Sequence, residues 1–358
     1  MPELPEVETI RRGLEERVPR KAGKILEVKV FEKKCFIGEP EGIIGTEVEK
    51  IERRGKALLI HFLNKKTAIV HLRMTGQLIW RGNYASGDIK TEDEGFLEKS
   101  GGVFEGTKKG AYEGEKSLIE NSFAGGHPSE NFLAELPNRQ TRAVVRFEGG
   151  TLFFNDQRKF GFFKVVETER VGEDKFLAGL GKEPWEMTVE EFFEKLQRHR
   201  GAPIKAVILD QKNVAGLGNI YADEALFYAK IFPGRKAGEI SREEAEKLLE
   251  GARVVMERSL EAGGSTIRNY VKSDGTRGDY LELFAEVFNR EGKECVRCGE
   301  KIKKIRVAGR GTHYCPRCQE LKGAGDLEGV RSSQGSQGSR GSQGSQGFHA
   351  EVKRKEEK

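Results

Sequence analysis

The 358-residue chain has no run of apolar residues approaching the length of a membrane span, and its first residues lack the apolar core of a secretory leader. These absences argue against a helical membrane protein or an exported one, and the expectation is a cytoplasmic protein. Cysteine is scarce: there are five, with Cys35 alone and Cys295, Cys298, Cys315 and Cys318 grouped near the end. An odd, unevenly placed set argues against a secreted disulfide framework. Excess charge is also small, at +5, but it is unevenly spread. Residues 83–136 hold eleven acids and five lysines, a net of −6, so the rest of the chain carries +11. That redistribution points to a polyanionic partner.

Short, partly alternating segments at residues 24–31, 45–53, 57–62, 67–72, 143–147, 151–154 and 161–166 are predicted strands of a sandwich or barrel-like domain. Residues 83–136, rich in Gly, Glu, Lys and Ser, are expected to form a partly disordered acidic insertion projecting away from any polyanion. From residue 183 to about 260 the apolar spacing becomes helical. The Ser-Gln-Gly triplets between Ser333 and Gly347 lack side chains able to build a core and are expected to be a flexible tail.

The first six residues, Met1-Pro2-Glu3-Leu4-Pro5-Glu6, carry two readings. Proline and acids suit the first turn of a helix, predicted over residues 5–17 with Val7, Ile10 and Leu14 on one stripe. Removal of Met1 would also free the Pro2 nitrogen as a secondary amine, with a basicity well below that of lysine and an adjacent carboxylate. Such an amine attacking a sugar C1′ gives an iminium, the Schiff-base route of covalent catalysis.

Cys295-x2-Cys298, sixteen intervening residues and Cys315-x2-Cys318 form the spacing of a four-thiolate zinc site with no open coordination position, hence one structural Zn2+. Between the pairs, residues 301–308 and 312–314 are predicted strands and Gly309-Arg310-Gly311 the tip of a basic hairpin suited to probing a groove. In the helical region, Gly216-Leu217-Gly218-Asn219 precedes a helix whose unpaired N–H groups suit an anion. Asn219 is the expected cap, and Lys205 and Arg200 the expected neighbours of a DNA-backbone clamp.

Met1-Pro2-Glu3-Leu4-Pro5-Glu6-Val7-Glu8, His71-Leu72-Arg73-Met74-Thr75-Gly76, the 216–221 turn and the zinc hairpin occur in one order. Together they closely resemble formamidopyrimidine-DNA glycosylase, over residues 1–82 and 137–320. The resemblance implies an α+β multidomain fold: an N-terminal helix with a β-sandwich (1–168), a linker (169–182), a helix-two-turn-helix domain (183–290) and a zinc hairpin (291–320); the acidic insertion and the Ser-Gln-Gly tail (321–358) have no counterpart in the family's usual pattern. It implies a monomeric bifunctional glycosylase/AP lyase of base excision repair acting on damaged double-stranded DNA in the bacterial cytoplasm. The acidity of the insertion, and the tail, leave room for a protein partner.

By that resemblance Pro2 is the nucleophile, Glu3 the acid and Glu6 part of the lesion pocket. Lys56 contacts phosphates beside the lesion and assists catalysis, and Arg310 assists the final elimination. Met74, Arg158 and Phe160 fill the void left by the flipped base. His71, Gln140, Arg158, Arg200, Lys205 and Asn219 contact DNA. Residues 263–280 resemble a loop that closes over the lesion. Gln157 and Lys159 stand where the family often has Pro and Arg, and Gln140 where many members carry histidine. Two rivals remain: an endonuclease VIII-like glycosylase for oxidised pyrimidines, and a noncatalytic DNA-damage-binding protein.

Overall fold

Helix α1 (Leu4–Glu15) starts as its first turn predicts: Glu3 is its N-cap, Pro5 lies in the first turn, and the Glu6 carboxylate accepts the Glu3 N–H at 2.8 Å. The computed structural model describes residues 2–82, 122–126, 136–263, 284–320 and, for the backbone alone, 331–332. Val7, Ile10 and Leu14 enter the core of a β-sandwich, whereas Leu4 is buried among the helices of the other half. A single helix therefore ties two cores together at the point where Pro2 and Glu3 begin.

Among the described residues, ten strands build the sandwich: β1 (Ile25–Val30), β2 (Phe36–Ile37), β3 (Val48–Arg54), β4 (Ala57–Phe62), β5 (Lys66–His71), β6 (Gly76–Gly82), β7 (Ser122–Gly126), β8 (Thr141–Phe147), β9 (Gly150–Asp156) and β10 (Phe162–Glu167). One sheet runs β1-β8-β9-β6-β7 and the other β2-β10-β5-β4-β3. Leu58, Ile60, Val70, Leu78, Trp80, Val145, Phe154 and Phe163 fill the space between them.

Strand β7 corrects the reading of residues 83–136 as one insertion. Ser122–Gly126 pairs antiparallel with β6 and closes the edge of its sheet beneath α1. Its glycines are there for close approach: a Cβ on Gly125 would lie 2.3 Å from Ile10 Cγ1. The rest of the expected insertion, up to residue 135, lies outside the described residues.

The expected linker is itself folded. A 3-10 turn (Thr168–Glu173) and α2 (Lys175–Ala178) lay Val171, Phe176 and Leu177 over Ala57, Leu59 and Ile69 on the outer face of the second sheet. The helical half follows with α3 (Val189–Arg198), α4 (Ile204–Leu209), α5 (Asn219–Tyr228) and α6 (Arg242–Glu261). Thr188 and Ser241 cap α3 and α6 through capping boxes. The halves are locked by Arg53, whose guanidinium grips the Glu183 carboxylate at 2.6 and 2.9 Å while the Gly55 N–H donates to the same group.

The hairpin β11 (Lys303–Val307) and β12 (Arg310–Tyr314) pairs Val307 with Arg310. The turn is thus Ala308-Gly309, and Arg310 is the first residue of the returning strand rather than mid-tip. A short strand β13 (Arg331–Ser332) pairs with β11, which corrects the expectation of a wholly flexible tail; the other residues from 321 lie outside the described residues. Residues 264–283, holding nearly all of the expected lesion loop, also lie outside them. Among the described residues no helix is long and apolar enough to cross a membrane.

Candidate active site

Pro2 and Glu3 are buried where α1 meets the turn before α5. The Leu4 N–H donates to Gly216 O at 3.1 Å, and the Glu3 carboxylate accepts the N–H groups of Ile220 at 3.0 Å and Tyr221 at 3.5 Å. The anion expected at the start of α5 is therefore Glu3 itself. Both glycines of the turn serve that contact: a Cβ at Gly216 would lie 2.4 Å from Leu4 Cδ1, and one at Gly218 2.2 Å from Glu3 Cδ. Gly218→Ala is expected to lower stability by about 1–3 kcal/mol through overpacking. Displacement of Glu3 should slow base excision well beyond what that loss explains, as thermal melting and single-turnover excision together will report.

Burial pushes the Glu3 carboxyl up to about 7, against the opposing pull of Lys56 and the two backbone N–H groups, with Glu6 adding to the rise. Glu3 can therefore hold a proton near neutral pH, the property a general acid needs. Behind it Glu6 is buried and fixed, accepting from the Tyr221 hydroxyl at 2.5 Å, and that hydroxyl meets Ser259 Oγ at 2.6 Å.

Lys56 follows Gly55 in the β3–β4 turn, and its Nζ donates to Leu217 O at 2.9 Å. It is buried, not an ordinary exposed strand lysine. Burial holds its ammonium below the usual lysine range; Glu3 and Glu6 oppose this and Arg310 adds to it. Arg310 itself is exposed. Pro2, Glu3, Lys56 and Arg310, separated by most of the chain, thus converge on the seam between the halves and the hairpin.

Lys205 and Asn219 hold that hairpin in place. The Lys205 ammonium is fully buried, paired with Asp223 at 2.6 Å, and donates to Thr312 Oγ1 and Gly311 O. Its expected role as a DNA contact is therefore corrected: its donors are turned inward. Asn219 is the first residue of α5 rather than its cap, which is Gly218, and its Nδ2 donates to Gly311 O at 3.0 Å. Arg200 stands apart, exposed between α3 and α4, its carbonyl accepting from Gly238.

A second group lies at one end of the sandwich. Met74 and Phe160 are 37% and 58% exposed, and the Arg158 guanidinium stacks over the Phe160 ring at 5.2 Å. His71 is buried against Phe162 and Phe176. Burial, helped by Arg73, pushes its imidazole down to about 3, and its Nδ1 accepts the Arg73 N–H. The ring is therefore neutral with its proton on Nε2. The Gln140 backbone adjoins this group, its carbonyl accepting the Asp156 N–H at 2.8 Å.

The four cysteine Sγ atoms lie within 4.8 Å of one another, with Cys295–Cys318 at 3.9 Å and Cys298–Cys315 at 3.5 Å. A tetrahedral Zn2+ with about 2.3 Å bonds sets sulfurs about 3.8 Å apart, so the set fits zinc, and its closed ligand shell makes it structural. The hairpin also leans on the helical half, sharing cores with Phe227 and Phe232. Cys298→Ser or chelation of zinc is expected to free Arg310 from the seam. Affinity for abasic DNA should fall roughly tenfold or more as backbone contacts are lost, while melting of the sandwich is unchanged; a salt titration of binding checks the first and thermal melting the second.

Residues that sequence reasoning missed include Tyr221, Asp223 and Asp156. Each is buried, with partners far away in the chain, so no local spacing reveals it. A groove of about 520 Å³ near Arg11, Arg53 and Arg54 is not this site, and its arginines are already held by Glu8, Glu183 and Glu186.

Models of known families match nearly the whole described chain: the formamidopyrimidine-DNA glycosylase N-terminal domain over residues 1–163, the H2TH domain of the same enzyme over 180–271, and the zinc finger found in FPG and IleRS over 292–321. Formamidopyrimidine-DNA glycosylase of Pelotomaculum thermopropionicum is 36% identical, and that of Ligilactobacillus salivarius 38%; each match covers 90% of this chain and 100% of the relative. The Lactococcus lactis enzyme, as a mutant in complex with Fapy-dG-containing DNA, superposes with a TM-score of 0.69 at 28% identity, covering 89% of this chain and all of that one. The same enzyme bound non-covalently to DNA containing an AP site gives 0.67 at 27%, with the same coverage. The chain belongs to the formamidopyrimidine-DNA glycosylase family.

Proposed function

We propose that this DNA glycosylase/AP lyase excises oxidised purines, 8-oxoguanine and formamidopyrimidines, from duplex DNA with Pro2 as nucleophile and cleaves the strand by β,δ-elimination. The observation that carries this reading is Glu3: a carboxyl pushed up to about 7, next to Pro2 and facing Lys56. With Met1 removed, the Pro2 nitrogen bonds to C1′ as the glycosidic bond breaks, and the departing base takes a proton supplied by Glu3. Once the nitrogen has lost its proton, its lone pair opens the sugar ring: the C1′–O4′ bond breaks, O4′ takes up a proton, and the nitrogen and C1′ become an iminium. The iminium acidifies C2′; loss of a C2′ proton expels the 3′ phosphate, and loss of a C4′ proton then expels the 5′ phosphate. Lys56 and Arg310, both cationic groups at the seam, suit the phosphates flanking the lesion.

Met74, Phe160 and Arg158 are the apolar wedge and cation that would occupy the stack once the base is out; their exposure supports that role. His71, as a neutral Nε2–H donor, Gln140, Asn219 and the exposed Arg200 are proposed DNA contacts, with Lys205 acting only through the hairpin it pins. Glu6 is proposed to line the lesion pocket. We read the molecule as a cytoplasmic monomer in which α1 and the sandwich, the helical domain and the zinc hairpin each supply one side of a DNA-binding cleft.

A base-release assay tests the proposal. 8-Oxoguanine opposite cytosine should be released and nicked far faster than thymine glycol. The reverse order would favour a pyrimidine enzyme, and tight binding without nicking a damage sensor.

A further inference from the structure

Asp156 is fully buried at the end of β9, yet it belongs to neither the chemical cluster nor the core. Its Oδ1 accepts from the Thr75 hydroxyl at 2.5 Å and from the Arg158 N–H at 3.1 Å, and its Oδ2 from the Gly161 N–H at 2.6 Å. Thr75 Oγ1 in turn accepts the Arg158 N–H at 3.0 Å. The backbone of Asp156 is held equally firmly, its carbonyl accepting from Arg142 Nε at 2.7 Å and its N–H donating to Gln140 O at 2.8 Å.

One carboxyl group therefore joins two loops 81 residues apart in sequence. The first presents Met74, immediately before Thr75. The second runs from Arg158 to Gly161 and presents Arg158 and Phe160. Lys159 between them sits at a φ of +57°, a strained conformation for a lysine that the flanking hydrogen bonds and its ion pair with Glu32 maintain. Arg158 and Phe160 stack on each other above this bracket, and the bracket ties their loop to the one that carries Met74.

We propose that Asp156 is a positioning residue that sets the Met74 loop and the Arg158–Phe160 loop as one unit, and so determines how the enzyme fills the stack and discriminates the opposite base. This rests on the void-filling reading of Met74, Arg158 and Phe160. Asp156→Asn retains size but turns an N–H toward one of the donors the carboxylate satisfied. Thr75→Val removes only the link between loops, and Thr75→Ser restores it.

Three readouts separate the outcomes: single-turnover excision from duplex with cytosine or adenine opposite the lesion, 2-aminopurine fluorescence beside the lesion as a report on wedge insertion, and borohydride trapping on a single-stranded abasic oligonucleotide, which has no stack to fill. D156N and T75V should lower duplex excision roughly tenfold or more through misplacement of the wedge, flatten the cytosine-to-adenine ratio and blunt the 2-aminopurine signal. Single-strand trapping should be preserved, and T75S should behave as the parent. Equal losses on single-strand and duplex substrates, or no change in the opposite-base ratio, would overturn the proposal; should D156N fail to fold, the T75V and T75S pair decides alone. Met74→Ala and Phe160→Ala run beside them distinguish the two levels. If these lack a selective duplex defect, the void-filling reading itself fails, whereas a defect in them without one in D156N or T75V removes only the role of Asp156.

Discussion

A chain that keeps Met1, or whose Pro2 nitrogen is acylated, is expected to bind lesion DNA and yet lose strand cleavage by on the order of a thousandfold or more. An amide nitrogen shares its lone pair with the carbonyl and is no nucleophile. A free α-amine titrates near pH 8, so an appreciable share is neutral under ordinary conditions. The alternative amine at the seam is Lys56, whose ammonium burial also holds below its usual range. Lys56 nonetheless spends a donor on Leu217 O and sits between Glu3, Glu6 and Arg310, a setting suited to a fixed charge. Nicking of a duplex abasic site by the blocked and free forms, with binding measured in parallel, gives the comparison. Retained cleavage by the blocked form would shift the chemistry to Lys56.

Glu3→Gln is expected to lower base excision by about 10²- to 10⁴-fold, the usual worth of a positioned proton donor, and to spare cleavage of a preformed abasic site, where no base has to leave. The pH dependence gives the sharper signature. In the parent the protonated form is depleted as pH rises through about 7, so excision falls over that range; in E3Q this limb disappears. The stability contributed by Glu3 should fall over the same range. A carboxyl raised from 4.5 to about 7 in the folded state favours folding fully below pH 4.5 and loses that contribution as pH rises through 7. By that displacement the buried charge costs up to about 3 kcal/mol above pH 7. E3Q, which carries no charge, should therefore melt higher than the parent at pH 8 while being the poorer enzyme.

Much of this site was legible before folding because its chemistry is local. Pro2 and Glu3 adjoin, and the zinc cysteines reveal themselves by spacing alone. The helix after Pro5 follows from proline and acids in its first turn. What escaped was whatever burial or distance decides. Ser122–Gly126 reads as loop because glycine is usually a loop residue, whereas here it lets α1 lie against the sheet. Strand β6 sends Leu78 and Trp80 into the core, yet it runs directly into the acidic segment, which hides its end in the sequence.

Lys205 shows the same limit for charge. A lysine near a glycine turn reads as a phosphate contact until Asp223, eighteen residues on, is seen to neutralise it at zero exposure. Asn219 has the composition of a cap, but the space a cap would use is filled by the Glu3 carboxylate. Gly216 and Gly218 in the same turn make room for Leu4 and Glu3.

The central claim is that Pro2 is the nucleophile, and borohydride trapping followed by peptide mapping tests it most directly. Incubated with a duplex containing 8-oxoguanine opposite cytosine and reduced with borohydride, the enzyme should become cross-linked to DNA, with the adduct on the N-terminal peptide at Pro2. An adduct on the peptide containing Lys56, or no adduct after removal of Met1 has been verified, would contradict the account.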